Sequence, residues 1–200
     1  MSDVEFAPPV RKRPKPGERR VQILQALASM LEQPGAERIT TASLAARLEV
    51  SEAALYRHFA SKAQMFEGLI EFIEQSVFSL INQITTQDHA SGTRQAGLVV
   101  AMLMQFAEKN PGMTRVMVGD ALVFENERLQ QRMNLFFDKI EAALKQCLRS
   151  ANGSATPTVD AQVSASAMTA FLVGRLQRFV RSNFKRLPSE YLEASLALIL

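Results

Sequence analysis

Apolar residues recur at intervals of three and four along most of the chain, and this period limits the possible folds more than any other feature. In residues 18–32 the apolar positions are Val21, Ile23, Leu24, Leu27, Met30 and Leu31. This spacing places apolar side chains on one face of an α-helix. No stretch of any length alternates apolar and polar residues as a half-buried strand does, and no internal repeat is present. The sequence therefore predicts an all-α fold.

Breaks between the helical segments divide the chain into three parts. Residues 1–17 hold four prolines and a glycine among charges, which predicts a flexible basic arm. Residues 18–62 are predicted to form one small domain, and residues 63–200 a second, larger helical domain. Helices are expected at 18–32, 41–48, 51–59, about 62–86, 94–109, 113–123, 125–150, 158–185 and from 190 onward.

The excess positive charge lies entirely in the first third of the chain. Residues 1–62 hold ten Lys and Arg against seven Asp and Glu, whereas residues 63–200 hold thirteen of each. This distribution favours an acidic polymer as the partner, because phosphate contacts supply most of the non-specific affinity of nucleic-acid binders. A basic arm that only keeps the protein soluble explains the same charge, so charge alone leaves both interpretations open.

Several function classes are excluded by composition and spacing. The longest apolar run, Leu98 to Met104, is far shorter than the roughly 20 residues of a membrane-spanning helix. The first residues contain no apolar signal region, so we expect a cytoplasmic protein. Two histidines, one cysteine and no glycine-rich phosphate loop give no catalytic, metal or cofactor site. Cys147 is interpreted as a buried inert thiol, and Glu125, Glu127 and Glu141 as a solvated face.

Residues 40–62, TTASLAARLEVSEAALYRHFASK, have the features of a helix-turn-helix. Leu44 and Leu48 give the first short helix an apolar side, Leu55 and Phe59 do so for the second, and Val50 fills the turn. In such a motif the second helix enters the major groove of DNA.

The residues of this motif predict particular DNA contacts. Ser51 caps the second helix, and small side chains near its start let it approach base edges closely. The residues one turn later can reach phosphate oxygens, and the starts of the two flanking helices favour an anion. The candidate DNA-binding residues are Thr40, Thr41, Ser51, Glu52, Ala53, Ala54, Tyr56, Arg57, His58 and Lys62.

The same run resembles the DNA-binding segment of TetR-type regulators, in which a Tyr-x-x-Phe ending is followed by a lysine. Tyr56, Phe59 and Lys62 match it. The resemblance extends to the nucleoid occlusion factors of that family through SEAALYRHFASK, FEGLIEFIE (66–74), EKNPGMTRVMVGDALVFENERLQQRMN (108–134) and RFVRSNFK (178–185). The chain departs from them in a longer proline-rich arm and a less charged loop at 150–158.

This resemblance implies a fold and a function. The fold is TetR-like, with an N-terminal three-helix helix-turn-helix domain and a C-terminal helical dimerisation domain. The function is that of a homodimer that binds specific sites on double-stranded chromosomal DNA and, when bound, antagonises assembly of the tubulin-like division protein FtsZ over the nucleoid. Tyr56, His58 and Lys62 are implied to contact the DNA backbone, and the start of the Ser51 helix to contact bases.

The implied partner surface lies on the long helix that begins near Lys62 and on the next helix, up to Asn110. Phe72 and Phe78 fall more than about 100° from the centre of the long helix's apolar stripe. Either a neighbouring helix covers them or they are anchors for a partner. By sequence alone, Lys109 and Asn110 are ordinary residues at a helix end. Only the resemblance to nucleoid occlusion factors suggests that they contact a partner. The candidate partner-binding residues are Phe72, Lys109 and Asn110.

Two stripes in the C-terminal half are candidates for dimerisation. The first is Leu129, Met133, Phe136, Phe137, Ile140, Leu144, Cys147 and Leu148, expected to be left partly exposed by a single chain; the second is Val163, Ala167, Ala170, Phe171 and Gly174. Two such helices from each subunit can form a four-helix interface. The alternative is that both stripes form a core within one subunit.

A transcriptional repressor released by a small apolar effector is the alternative function. Its effector cavity could be lined by apolar and methionine side chains, which are adaptable in shape. The candidates are Met102, Met104, Phe106, Met113, Met117, Leu122 and Phe124. The same residues could equally belong to an ordinary core.

Overall fold

A computed structural model describes residues 17–33, 39–87, 91–151 and 158–199. Within these ranges the chain forms nine α-helices and no strand, which confirms the predicted all-α fold. The helices are α1 (Glu18–Leu31), α2 (Thr41–Arg47), α3 (Glu52–Tyr56), α4 (Lys62–Gln87), α5 (Gly92–Lys109), α6 (Pro111–Met117), α7 (Glu127–Ala151), α8 (Thr158–Arg181) and α9 (Leu192–Ile199). The predicted arm, apart from Gly17, and most of the loop at 150–158 lie outside the described residues.

Helices α1 to α3 form a small unit, called the headpiece below. Its core consists of side chains with at most 2% exposure, contributed by all three helices and the residues after α3: Ile23, Leu27, Leu31, Leu44, Leu55 and Phe59. Helix α4 contacts α1 and continues into the larger group of helices α4 to α9, called the body. The headpiece is thereby attached to the body through α4 and through α6, which packs on α1.

Helices α7 and α8 pack closely against each other, and α5 packs on α7. The apolar stripe of α7 is the core of this body: seven of its eight members are at most 7% exposed, and Phe137 is half-buried. The expectation that this stripe is left partly exposed for a partner is therefore wrong. It is covered within one chain because α5 and α8 together span the apolar face of α7.

Helix α8 has two apolar faces. Ala161, Ala165, Met168, Leu172 and Leu176 point into the core and are at most 2% exposed. The second predicted stripe lies on the other side of the helix: Val163 is 63% exposed, Ala167 and Ala170 are exposed, and Phe171 and Gly174 are half-buried. One long face of α8 is therefore apolar, built of small residues and uncovered within the described part of the chain.

Helix α3, predicted to extend to Phe59, ends at Tyr56. Helices α6 and α8 also end earlier than their sequence pattern predicts, because the backbone enters the left-handed region. Helix α6 stops at Met117, since Gly119 has φ 81° and starts a short 3-10 turn at Asp120–Leu122. Helix α8 stops at Arg181, since Asn183 and Phe184 have φ 50° and 63°. This reversal of chain direction places the centre of the Phe184 ring 5.1 Å from the centre of the Phe179 ring.

Candidate nucleic-acid interface

The N-terminal ends of α2 and α3 are linked by side-chain hydrogen bonds. Thr40 and Ser43 form a reciprocal cap on α2, in which each backbone N–H donates to the other hydroxyl oxygen at 3.1 Å. The Thr41 hydroxyl donates to a carboxylate oxygen of Glu52 at 2.5 Å. Because Glu52 is the first residue of α3, this bond fixes the start of α3 beside the start of α2.

The segment 51–58, which contains α3, presents five of its seven predicted DNA-binding residues to solvent. The Ser51 hydroxyl caps α3 by accepting from the Ala54 N–H at 3.3 Å. Ser51, Glu52, Ala53 and Arg57 are exposed, and the Tyr56 side chain is 46% exposed. Ala54 and His58 are half-buried and lie at the edge of this exposed surface. Of the two alanines at the start of α3, Ala53 is therefore the more exposed.

Arg20 of α1 contacts the end of residues 51–59, called the recognition segment below because sequence predicts that they contact DNA. Its guanidinium donates to the backbone oxygen of His58 and lies 4.1 Å above the centre of the Phe59 ring. From the sequence alone, Arg20 is only one of the basic residues in the first third of the chain, with no predicted contact. Its contact with His58 joins positions 38 residues apart, which no local spacing predicts.

Lys62, the first residue of α4, is engaged by a carboxylate of the body. Its Nζ lies 2.5 Å from Oε1 of Glu125, with 28% of the lysine side chain exposed and 10% of the glutamate side chain. The interpretation of Glu125 as part of a solvated face is therefore wrong. The reason is that the segment after the 3-10 turn runs past the start of α4, and sequence alone gave no sign of this partner.

Two further ion pairs link α4 to α7. In these pairs the carboxylate lies on α4, whereas in the Lys62–Glu125 pair α4 carries the cation. Glu67 of α4 accepts from Arg128 at 2.5 Å, and Glu74 of α4 accepts two bonds from Arg132. The hydrogen bonds to Glu74 raise the pKa of the Arg132 guanidinium. These two ion pairs hold the part of α4 that extends from the headpiece against the body.

A glycine makes the close contact between α6 and α1. A Cβ placed on Gly112 would lie 2.0 Å from the backbone oxygen of Ala28 and 3.2 Å from Cγ of Glu32. No other side chain fits at this crossing without moving one of the helices. Local sequence spacing does not predict this contact, because Ala28 is distant from Gly112 in the chain.

The predicted partner-binding residues are distributed over α4 and the end of α5. Phe72 is 49% exposed, whereas Phe78 is half-buried and packs edge-on against Phe136 at 5.6 Å. Lys109 is exposed. Asn110 is half-buried, and its side-chain N–H₂ donates to the Phe106 oxygen at 2.7 Å, which closes the end of α5.

The residues proposed to line an effector cavity do not share one environment. Met104, Met117 and Leu122 are at most 2% exposed in the core, while Phe124 is 71% exposed. An open cavity of about 950 Å³ does exist between α5 and α9, but other side chains line it, among them Arg94 and Leu192.

The described residues contain no group of three or more metal-ligating side chains. Cys147 is 3% exposed, and burial raises the pKa of its thiol, so little reactive thiolate is present. Across the same ranges, no helix is both long and apolar enough to cross a membrane.

Comparison with known proteins gives the chain's relationships. Residues 23–69 match the family model of bacterial regulatory proteins of the tetR family, and residues 93–200 match the SlmA-like model described as a tetracyclin repressor-like C-terminal domain. The nucleoid occlusion factor SlmA of Aliivibrio fischeri is 52% identical over 181 residues, covering 88% of this chain and 91% of that protein. That of Vibrio cholerae is 52% identical over 185 residues, covering 90% and 93%.

Solved structures share the fold at low identity. The transcriptional regulator FadR of Bacillus subtilis, in complex with stearoyl-CoA, superposes with a TM-score of 0.71 at 15% identity, covering 90% of this chain and 96% of that one. A TetR regulator from Legionella pneumophila gives 0.71 at 15%, covering 94% and 97%. These findings confirm the resemblance and the TetR-like fold. The chain therefore belongs to the TetR family and, within it, to the nucleoid occlusion factors named SlmA.

Proposed function

We propose that this protein binds specific double-stranded DNA sites as a homodimer and, when DNA-bound, antagonises FtsZ assembly over the nucleoid. The observation that carries the proposal is sequence identity above 50% across about nine-tenths of the chain to nucleoid occlusion factors. The helix-turn-helix supports it, since its second helix and the residues flanking that helix expose five of the residues that sequence predicted to face DNA.

The start of α3 is the part of the headpiece suited to reading bases. Ala53 is exposed there, and its methyl group can contact a thymine methyl while the helix lies deep in the major groove. Tyr56, Arg57 and His58 follow at the end of α3, where hydroxyl, guanidinium and imidazole groups reach phosphate oxygens. Thr40 and Lys62 flank them at the starts of α2 and α4.

The uncovered face of α8 is suited to a second copy of the chain. Val163, Ala167 and Ala170 are exposed on it, and no atom of the described residues lies within 4 Å of the place a Cβ of Gly174 would occupy. Small residues let two helices approach closely. Dimerisation through this face would carry two headpieces to two half-sites, as helix-turn-helix proteins require.

Phe72 is the proposed anchor for FtsZ. An aromatic ring that is half exposed on a well-packed helix offers a large apolar area at little entropic cost. Lys109, exposed at the end of the neighbouring helix α5, adds a positive charge to the same proposed surface, and Asn110 shapes its edge. The function needs no catalytic step, and it places the protein in the cytoplasm at the nucleoid.

The proposal is tested by removing the gene from the source bacterium and imaging FtsZ rings and nucleoids when chromosome segregation is delayed. We expect rings to form over nucleoids, and the wild-type gene to prevent this. Ala53→Leu should fail to do so, because the larger side chain blocks groove insertion. Ala46→Leu, at an exposed position on α2, is the matched control and should complement. Normal ring placement without the gene would contradict the proposal.

A further inference from the structure

We propose that Glu125 lowers the affinity for DNA by competing with a DNA phosphate for the ammonium group of Lys62. The inference rests on the proposed function, in which Lys62 contacts the DNA backbone. It assigns to a body residue, outside the headpiece, control over one of the contacts that determine DNA affinity.

The geometry favours exchange of the lysine between two anions. Glu125 is fixed, because its side chain is only 10% exposed and its backbone N–H donates to the Leu122 oxygen at 3.0 Å. The next residue, Asn126, caps the start of α7 by accepting from the Arg128 N–H at 3.1 Å. Lys62 retains 28% exposure on a flexible stem. The carboxylate is therefore the stationary partner, and the ammonium is the movable one.

Charge neutralisation makes the two contacts antagonistic. A lysine contributes to DNA affinity mainly by displacing counterions condensed on the DNA, which requires a free positive charge. An ammonium at 2.5 Å from a carboxylate is already compensated. A DNA phosphate must either displace Glu125 from Lys62 or bind beside the neutral Lys62–Glu125 pair, where the carboxylate repels it. Each arrangement yields a weaker net contact than an unpaired lysine would make.

The other ion pairs of α4 provide internal controls, because their polarity is reversed. Glu67 and Glu74 place the carboxylate on α4 and the guanidinium on α7. Removing one of these carboxylates frees an arginine of the body and leaves Lys62 paired. An effect that comes only from a general loosening of α4 against the body would appear in both classes of variant.

The test measures binding of the full-length protein to a duplex selected from random sequence by the wild type, between about 50 and 200 mM salt. Glu125→Gln keeps the size of the side chain and removes its charge. We expect it to bind roughly five- to tenfold tighter near 0.1 M salt, with a salt slope steeper by about 0.9 for each subunit that contacts DNA. Glu74→Gln should leave the slope unchanged.

A double-variant cycle assigns the effect to Lys62. Lys62→Met should bind more weakly than wild type, and Lys62→Met with Glu125→Gln should bind like Lys62→Met alone, because no charge remains to be released. A Glu125→Gln variant that keeps the wild-type melting temperature but binds DNA equally or more weakly would overturn the inference while leaving the role of Lys62 intact. Wild-type affinity in Lys62→Met would instead contradict the proposed contact itself, and the inference with it.

Discussion

Two phenylalanines of α4, six positions apart, have different surroundings and should respond differently to truncation. Phe72 is 49% exposed, whereas Phe78 packs against Phe136. We expect Phe72→Ala to change the free energy of unfolding by less than about 1 kcal/mol. It should weaken antagonism of FtsZ roughly 5- to 150-fold, since an anchor residue contributes about 1 to 3 kcal/mol. Thermal unfolding and FtsZ sedimentation measure the two effects on one variant.

Phe78→Ala is the matched control for this prediction. It removes a ring from the contact between α4 and α7 and should cost roughly 3 kcal/mol of stability. DNA affinity should stay unchanged in Phe72→Ala, because the α3 surface is intact. A stable Phe72→Ala protein that acts on FtsZ polymers as strongly as wild type would refute the anchor role.

At the scale of helices, the crossing of α6 and α1 controls how the headpiece is attached. Gly112→Ala would place a methyl group 2.0 Å from the Ala28 oxygen, so the two helices must separate. We expect a loss of at least about 2 kcal/mol in the free energy of unfolding. DNA affinity should fall as well, because Arg20, on the displaced α1, holds the end of the recognition segment. Denaturant unfolding and duplex titration check the two effects.

Gly97→Ala is the control for that substitution. Its Cβ would lie at an ordinary 3.6 Å from Cδ1 of Leu196, so the change should stabilise α5 by up to about 1 kcal/mol. Equal stability of the Gly112→Ala and wild-type proteins would show that the crossing tolerates a side chain, contrary to the account.

Sequence periodicity predicted the helices well because it depends on local spacing, and it failed where long-range contacts decide. Helix α4 begins at the predicted residue and α5 ends at the predicted one. The three- and four-residue spacing of apolar residues could not show that α5 and α8 would cover the apolar side of α7. Nor could it show that Glu125 meets Lys62, because 63 positions separate them. Of the two off-stripe phenylalanines, only the fold distinguishes the covered Phe78 from the exposed Phe72.

For the whole molecule, we expect the uncovered face of α8 to decide the oligomeric state. In the part of the chain that the structure describes, no atom lies within 4 Å of the Cβ that Gly174→Leu adds, so the subunit should fold normally. The larger side chain should keep two α8 helices apart and convert a dimer into a monomer. Analytical ultracentrifugation at micromolar concentration checks this, with Ala46→Leu on the distant α2 as the control. A wild-type protein that sediments as a monomer would contradict the proposed interface.

The central claim is that DNA binding and antagonism of FtsZ are joined in one molecule. Sedimentation of FtsZ polymers, with the protein alone and with the protein plus its selected duplex, tests the claim most directly. We predict that the pelleted fraction of FtsZ falls strongly only when both protein and selected duplex are present, and that a duplex of unrelated sequence has little effect. An unchanged pellet with the protein fully bound to its selected duplex would contradict it.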